Sequence, residues 1–383
     1  MAFEFATAGR ILFGEGRLGE LGPVARELGT HALLVRGASD RADRAASLLG
    51  EAGLEVSETR VTGEPTTGGI ESAVAHARAA GCDVVVAFGG GSVIDAAKAI
   101  AALLTNPGDL RDYLEVVGAA QPLRSRAAPV IAIPTTAGTG AEVTRNSVLL
   151  AEAERVKVSL RSPLMLPAVA IVDPELTYDL PPALTASTGL DALTQCLEPF
   201  VTPAANPLTD GFAREGLRRA GRSLRTAVED GSDIVARRDM ALASLCGGLA
   251  LANARLGAVH GLASPIGGAY PVPHGVVCAL LLAPVTAANV RALREHSPES
   301  TALARYREAA AIVTGEPDAD EDRLVAWLAS LAEDFGLPKL SAYGIDDSAL
   351  PDIVGKARRA SSMKGNPVEL SEAELTEVLK AAM

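Results

Sequence analysis

The sequence predicts two domains, an N-terminal α/β domain followed by an all-helical C-terminal domain. Its 383 residues exceed the roughly 250 to 300 residues at which a single hydrophobic core stops growing. In the first half, short β-branched runs alternate with helical patterns, which is typical of parallel strands covered by helices. From Ala183 onward only long, Ala- and Leu-rich helical stretches follow. We therefore place the boundary near Leu180, with domains 1–180 and 181–383.

The elements follow from periodicity, taken in chain order. In the first domain we predict strands over 32–36, 84–88, 130–133 and 168–172, with helices over 41–52 and 92–104. In the second domain we predict helices over 184–201, 209–229, 234–252, 300–313 and 321–335.

Composition excludes several classes of protein. A net charge of −12 argues against nucleic acid as a partner, because phosphate binding needs clustered basic residues. The four cysteines are far apart and form no Cys-x-x-Cys pair, so we expect reduced thiols in a cytoplasmic protein. We expect no signal peptide, because residues 1–10 lack a basic segment followed by an apolar stretch, and we expect no membrane helix, because no uninterrupted run of about 20 apolar residues is present. The apolar run over 276–285 is too short and is interrupted by Pro284.

A glycine-rich turn follows the strand predicted over 84–88. Gly89, Gly90, Gly91 and Ser92 stand where that strand runs into a helix. Successive glycines let backbone N–H groups approach an anion, and the helix dipole adds about half a positive charge there. The turn is therefore a candidate pyrophosphate site in a Rossmann-like domain. Steric need for glycine and capping by Ser92 and Asp95 would explain the same residues without a ligand.

A second polar loop follows the strand over 130–133. It carries Thr135, Thr136, Gly138, Thr139 and Gly140. Such a density of hydroxyls at a strand's carboxyl end suits a ligand with many hydrogen-bonding groups, because α/β folds bind ligands there.

Four residues of the helical half form a candidate metal-ligand set. Asp191 and Gln195 are four residues apart, on one face of the predicted helix. His260 is followed by a glycine, and His274 lies between a proline and a glycine. Two imidazoles and a carboxylate can hold a divalent ion with open positions. No pair has a diagnostic spacing, so hydrogen-bonded packing histidines remain the alternative.

Taken together, the motifs resemble the iron-containing (group III) alcohol dehydrogenase family along essentially the whole chain. They appear in the family's order: Gly89-Gly90-Gly91-Ser92-x-x-Asp95, Pro134-Thr135-Thr136-x-Gly138-Thr139-Gly140-x-Glu142, Asp173-Pro174-x-Leu176-Thr177, Gly189-x-Asp191-Ala192, His260-Gly261 and Pro273-His274-Gly275.

The resemblance implies a dehydroquinate synthase-like architecture and hydride transfer between NAD(P) and a small alcohol, aldehyde or ketone. It implies that Asp191, His260 and His274 are catalytic. It also implies iron or zinc on Asp191, Gln195, His260 and His274. The implied cofactor-binding residues are Gly89, Gly90, Gly91, Ser92, Asp95, Thr135, Thr136, Thr139, Lys157 and Leu176.

Two positions depart from the family's pattern. Gln195 stands where the family usually has a ligating histidine, and Ser264 stands where a histidine is common near the nicotinamide. An amide oxygen is a poorer ligand for a transition metal than imidazole. A metal-independent reductase resembling the maleylacetate reductases is therefore the alternative, with His260 or His274 assisting the developing alkoxide.

Cofactor preference depends on the residue after the strand over 32–36. Enzymes that prefer NAD usually place an acidic residue there, but this chain has Gly37. Ser39, with Arg36 or Arg41, could receive a 2′-phosphate, so we favour NADP over NAD. Asp40 could instead supply the missing carboxylate.

Two further classes are weighed against the dehydrogenase. A dehydroquinate synthase-like lyase needs a dense basic cluster, but residues 249–282 offer only Arg255 besides histidines. A non-catalytic dinucleotide-binding member is kept open by Gln195. We expect a homodimer or a higher homo-oligomer, because homodimers are the commonest oligomers of soluble proteins. Ala263, Ser264, Ala269 and Tyr270 are expected to line a small, fairly apolar substrate pocket.

Overall fold

The computed structural model describes residues 2–383, which form two compact units. One unit contains residues 6–136 and 140–177. The other contains residues 178–383 with the short segments 2–5 and 137–139.

The first unit is built on a six-stranded parallel sheet with the order β1-β8-β5-β4-β2-β3. A two-stranded antiparallel hairpin, β6-β7, belongs to the same unit. The strands are β1 (Arg10–Phe13), β2 (His31–Arg36), β3 (Glu55–Arg60), β4 (Val84–Gly89), β5 (Val130–Pro134), β6 (Asn146–Ala151), β7 (Val156–Arg161) and β8 (Val169–Val172).

The central strand β4 is apolar throughout because both of its faces are buried. Val85 and Ala87 lie in one hydrophobic cluster, whereas Val84, Val86 and Phe88 lie in another. This alternation fits a sheet with helices on both faces. The helices of this unit are α1 (Leu21–Leu28), α2 (Asp43–Glu51), α3 (Thr67–Ala80), α4 (Gly91–Thr105) and the short α5 (Leu110–Tyr113).

The second unit is helical, as the sequence predicts. Its helices are α6 (Pro182–Val201), α7 (Pro207–Glu229), α8 (Ile234–Asn253), α9 (Ala258–Ala269), α10 (His274–His296), α11 (Thr301–Thr314), α12 (Glu321–Asp334), α13 (Leu350–Ala357) and α14 (Glu372–Ala382).

Helix α6 is buried along most of its length. A Cβ atom on Gly189 would lie 2.4 Å from Cδ1 of Leu224 on α7 and 3.2 Å from Cε of Met240 on α8. A Cβ on Gly275 of α10 would lie 2.6 Å from the carbonyl oxygen of Ser187 on α6. Gly275 is therefore required by close contact with the backbone of α6, whereas a larger residue at Gly189 would require the Leu224 side chain to move.

The apolar run over 276–285, expected to be short and interrupted by Pro284, lies within the longer helix α10. The helix continues through Pro284 from His274 to His296, and its length and composition would allow it to cross a membrane. A second candidate arises only if α8 and α9, bent by 97° at the break between them, are counted as one span. However, 83% of the apolar window of α10 is buried inside the protein, so its apolar character is explained by its place in the helical core.

The predicted fold class is confirmed, with a parallel sheet in the first half and helices in the second. Predicted helices agree with the observed ones within about two residues, for example 321–335 against Glu321–Asp334. Strands β1, β3, β6 and β7 were not predicted.

Candidate functional site

The glycine-rich turn joins β4 to α4 with almost no intervening chain. Strand β4 ends at Gly89, Gly90 is the N-cap in an extended conformation, and α4 begins at Gly91. A Cβ on Gly89 would lie 2.5 Å from Cγ2 of Val93, so this turn admits no larger residue there without a shift. First-turn N–H groups of a helix have no partner within the helix, so an anion is well placed at Gly91 and Ser92.

The second loop lies beside this turn because β4 and β5 are neighbours in the sheet. Thr135 donates its backbone N–H to the Gly89 carbonyl at 3.0 Å. Oγ1 of Thr136 lies 3.3 Å from where a Cβ of Gly90 would be. Gly37, at the end of the adjacent strand β2, belongs to the same edge of the sheet. The structure thus brings these predicted cofactor residues together, while Thr139 belongs to the other unit.

Several other predicted cofactor residues have protein partners. Asp95 pairs with the buried Lys98 at 2.8 Å and accepts a hydrogen bond from the N–H of Val148. Lys157 pairs with Glu64 at 2.8 Å. Leu176 is half-buried and packs on a hydrophobic cluster of the sheet. These contacts hold the first unit together, whatever further contacts the three residues make with a ligand.

The arginines considered for phosphate binding are also engaged. Arg36 is only 2% exposed and donates to Asp43 at 2.6 Å and to Glu58 at 3.2 Å. Arg41 donates to the Leu176 carbonyl, and its backbone N–H donates to Oγ of Ser39. The charge of Arg36 is therefore already balanced by two carboxylates.

Glu142, at the end of the second loop's motif, is fully buried. Burial raises the pKa of its carboxyl to about 7, although its own backbone N–H and the charge of Lys98 oppose the rise. This carboxyl is thus a titratable group near neutral pH inside the first unit.

In the helical unit, three helices bring the predicted ligands together. Nε2 of His260 on α9 lies 3.6 Å from Oδ1 of Asp191 on α6, and Nε2 of His274 on α10 lies 3.7 Å from the same oxygen. Both distances are too long for hydrogen bonds. Asp191 and His260 are buried, whereas the side chain of His274 is 33% exposed.

Two acceptor oxygens in this cluster lack a donor. Oδ1 of Asp191 and Oε1 of Gln195 are buried and have no hydrogen-bond partner among residues 2–383. Leaving a buried acceptor unpaired costs about 1 to 3 kcal/mol. A cation between the carboxylate and the imidazoles would satisfy these atoms, so the residues present fit a divalent metal ion.

Glu198 fixes the orientation of His260. Its Oε2 lies 2.6 Å from Nδ1 of His260, and its Oε1 accepts the backbone N–H of Val259 at 2.8 Å. Because a carboxylate only accepts, Nδ1 carries a proton, so loss of one proton from the charged ring leaves the lone pair on Nε2, the nitrogen that faces Asp191. A carboxylate that holds the outer nitrogen of a histidine ligand is typical of metal sites.

Cys278 is a further member of the cluster. It lies one turn after His274 on α10 and is fully buried, with Sγ 3.6 Å from Nε2 of His274 and 3.9 Å from Nε2 of His260. One ligand atom from each of Asp191, His260, His274 and Cys278 lies within 4.8 Å of the others. All four cysteines of the chain are free thiols, as expected from their spacing.

The ionisable groups of this cluster shift one another's pKa values. Burial would raise the pKa of Asp191, but His274 and His260 lower it to about 2. Burial would lower the pKa of His260, yet Cys278, Glu198 and Asp191 raise it well above its usual value. Burial raises the pKa of the Cys278 thiol to about 12, against the charge of His260. Without a cation, these neighbours therefore favour the protonated, charged form of the His260 imidazole.

The expected substrate-pocket residues lie in different environments. Ala263 is 1% exposed, whereas Tyr270 and Ala269 are half-buried, and Tyr270 packs against the helical core. Ser264 is exposed on α9, one turn after His260. Of the four, Ser264 therefore has the most exposed side chain.

Sequence reasoning missed Glu198 and Cys278. Both had a signal, because Glu198 is seven residues after Asp191 on one helix face and Cys278 is four after His274. Neither residue belonged to a motif used for the prediction.

Two family models match consecutive parts of the chain. The model described as "Iron-containing alcohol dehydrogenase" matches residues 8–174. The model described as "Fe-containing alcohol dehydrogenase family, C-terminal" matches residues 185–383. Together they cover both units of the structure.

Curated relatives and solved structures agree with these matches. The chain is 35% identical to 1,3-propanediol dehydrogenase of Klebsiella pneumoniae, over 99% of this chain and 98% of that one. It is 38% identical to long-chain-alcohol dehydrogenase 1 of Geobacillus thermodenitrificans, over 96% and 94%. A crystal structure of 1,3-propanediol oxidoreductase superposes with a TM-score of 0.91 at 34% identity, over 100% of both chains. A sulfoacetaldehyde reductase from Bifidobacterium kashiwanohense in complex with NAD+ gives 0.86 at 30%, over 100% of this chain and 99% of that one.

Proposed function

The chain belongs to the iron-containing alcohol dehydrogenase family, and from that premise we propose that it interconverts a small alcohol and its aldehyde or ketone with NAD(P). The observation that carries this proposal is the convergence of Asp191, His260 and His274, with a buried carboxylate oxygen that lacks a hydrogen-bond donor among residues 2–383.

Each residue has a distinct task in this proposal. Asp191, His260 and His274 would hold a divalent cation, with Gln195 at the position of a further ligand. Such a cation supplies Lewis-acid polarisation of a carbonyl oxygen. Glu198 keeps His260 in the tautomer that offers Nε2 to the site. The partial exposure of His274 leaves an approach for a small ligand on that side of the cluster.

The first unit would bind the dinucleotide. The N–H groups at the start of α4 would hold its pyrophosphate, and Thr135 and Thr136 at the adjacent strand end would add hydrogen bonds. The cofactor supplies the hydride, while the protein positions it.

The test combines metal analysis with turnover. Purified protein is assayed for NADPH and NADH oxidation with a panel of aldehydes and ketones, before and after chelation and re-addition of Fe²⁺ or Zn²⁺. We expect turnover that chelation abolishes and metal restores. Asp191→Asn should lower kcat/KM by at least about a hundredfold, since it removes the charged ligand. The exposed Asp230→Asn is the matched control. Cofactor binding without turnover of any carbonyl would disprove the proposal.

A metal-independent reduction is the second candidate, favoured by Gln195 in place of a ligating imidazole. The imidazole of His274 would then donate a hydrogen bond or a proton to the developing alkoxide. Activity that survives chelation, in protein shown to contain no metal, would select this candidate.

We further propose a preference for NADP. The residue directly after β2 is Gly37, so no carboxylate stands at that position. Arg36 is already paired with Asp43 and Glu58. A 2′-phosphate would therefore bind through Ser39, and no carboxylate at residue 37 would repel it.

The variant Gly37→Asp tests this preference directly. The nearest atom to a Cβ on Gly37 is Cγ2 of Val93 at 3.9 Å, so the first atom of a new side chain makes only an ordinary contact there. We expect the ratio of kcat/KM for NADPH to that for NADH to fall at least about tenfold, because the carboxylate repels the 2′-phosphate. Gly50→Asp, at an exposed glycine with open space around it, is the control. A wild-type enzyme that already favours NADH would contradict the proposal.

A further inference from the structure

We propose that the thiolate of Cys278 is the fourth protein ligand of the metal site, in place of the ligand lost at Gln195, and that the resulting Asp-His-His-Cys set is a zinc-type site. This inference rests on the proposed function for the role of the site, but its geometry stands independently.

The spacing of the ligand atoms fits tetrahedral coordination. Metal–nitrogen and metal–sulfur distances of about 2.0 and 2.3 Å place ligand atoms about 3.3 to 3.6 Å apart around a tetrahedral zinc ion. Sγ of Cys278 lies 3.6 and 3.9 Å from the two Nε2 atoms, and Oδ1 of Asp191 lies 3.6 and 3.7 Å from them. Contraction by a few tenths of an ångström would bring these four pairs to tetrahedral spacing, and all four ligand atoms lie within 4.8 Å of one another.

The buried oxygens indicate where the cation would sit. Oδ1 of Asp191 is 3.6 Å or more from both imidazole nitrogens and, within residues 2–383, accepts no hydrogen bond. Packing alone would have selected a donor for this oxygen. A thiol that merely filled space would not require a bare carboxylate oxygen and two imidazole nitrogens around it.

Gln195 then has a supporting task. Hydrogen bonding by its side chain helps to lower the pKa of the Asp191 carboxyl, and the amide N–H is the group that can donate. Oε1 of Gln195, in contrast, has no hydrogen-bond partner among residues 2–383. Gln195 can therefore act without being the fourth ligand.

Ligand chemistry predicts the metal. Thiolate is a soft ligand that favours zinc, whereas oxygen ligands suit harder cations. Binding is a ligand exchange in which the Cys278 thiol loses its proton to solvent as the metal–sulfur bond forms. No electron is transferred in this step.

The test uses cobalt as a spectroscopic probe of the full-length protein. Metal-free protein is loaded with Co²⁺ under anaerobic, reducing conditions, and bound cobalt is quantified by elemental analysis. We expect an intense near-ultraviolet thiolate-to-cobalt charge-transfer band in the wild type. Cys278→Ser should bind cobalt without this band. Cys246→Ser, which removes another buried thiol of the same unit, should keep it.

Competition between metals gives a second readout. With Zn²⁺ and Fe²⁺ in competition, Cys278→Ser should lower the ratio of bound zinc to bound iron at least about tenfold, because loss of a soft ligand affects zinc more. Cys246→Ser should leave the ratio unchanged. The wild-type ratio alone does not test the thiolate ligand, because zinc outcompetes iron at many nitrogen and oxygen sites. The test is the difference in this ratio between Cys278→Ser and Cys246→Ser.

The outcomes separate this inference from the proposed function. Stoichiometric cobalt without a charge-transfer band in the wild type, or an unchanged band in Cys278→Ser, would overturn the thiolate ligand even if the enzyme turns over. A band in the wild type that disappears in Cys278→Ser would establish the ligand even if no carbonyl is reduced. Should Cys278→Ser fail to fold, Cys278→Ala and the wild-type spectrum decide the question.

Discussion

Glu198 should control both the stability of the helical unit and its metal affinity. Its two oxygens accept from two buried donors, the backbone N–H of Val259 at 2.8 Å and Nδ1 of His260 at 2.6 Å. The variant Glu198→Gln retains the shape but offers only one acceptor oxygen, so its NH₂ group must face one of these donors.

Either orientation of the new amide has a cost. If the NH₂ faces Val259, a buried N–H is left unpaired, at about 1 to 3 kcal/mol. If it faces His260, the ring can accept only by moving its proton to Nε2, which removes the lone pair from the metal site. We expect unfolding of the metal-free protein to become easier by about 1 to 3 kcal/mol. Loss of such an outer contact typically weakens metal binding about 10- to 100-fold.

Two measurements check these expectations. Urea unfolding of the metal-free protein gives the change in stability, and calorimetric titration with Zn²⁺ gives the change in affinity. Glu229→Gln, at an exposed position at the end of α7, is the control. Zinc affinity within about threefold of the wild type, together with unchanged stability, would refute the idea that Glu198 orients His260.

Two further predictions concern the first unit. The folded-state pKa of Glu142 is raised from 4.5 to about 7. Its contribution to the free energy of unfolding is therefore fully present below pH 4.5 and is lost as pH rises through 7. Between pH 5 and pH 8 the stability of Glu142→Gln, measured by urea unfolding, should rise relative to that of the wild type by up to about 3 kcal/mol, and a stability difference that does not change with pH would contradict the raised pKa. Gly90→Ala should fold, since its Cβ meets only the Thr136 side chain, at 3.3 Å from Oγ1 and 3.5 Å from Cγ2. It should bind dinucleotide at least about tenfold more weakly in fluorescence titrations, because the added Cβ obstructs the approach of a phosphate to the first N–H groups of α4. Gly89→Ala should instead lower the melting temperature, since its Cβ would lie 2.5 Å from Val93. Equal melting temperatures for Gly89→Ala and Gly90→Ala would contradict this difference between the two glycines.

Local pattern was sufficient to predict the central strands and most of the long helices, although α3 and α10 were not predicted. Strand β4 is buried on both faces and therefore reads as a continuous apolar run before its glycines. Strand β3, with the sequence Glu-Val-Ser-Glu-Thr-Arg, lies at the edge of the sheet and is half exposed. None of its six residues is fully buried, so its sequence lacks the apolar alternation that marks a strand. Strand β1 pairs with β8, far along the chain, which no local window can reveal.

The site was predictable where its residues share a helix or a motif. Asp191 and Gln195 were found from their spacing, and His260 and His274 from their punctuated surroundings. The same helical spacing extends to Glu198 and Cys278. Spacing does not say which helix face turns inward, however. That is decided by the packing of α6 against α9 and α10, which the sequence does not display.

The substitution at Gln195 has a different meaning once Cys278 is placed beside the imidazoles. Judged from the sequence, an amide in place of histidine removes a ligand and lowers the affinity for metal. In the folded chain a buried thiol lies 3.6 Å from Nε2 of His274, so four side chains can still surround a cation. A structure that had merely lost its metal would have little reason to keep Oδ1 of Asp191 buried without a donor from residues 2–383. The unpaired oxygen and the neighbouring thiol therefore argue for a site that has exchanged one ligand for another.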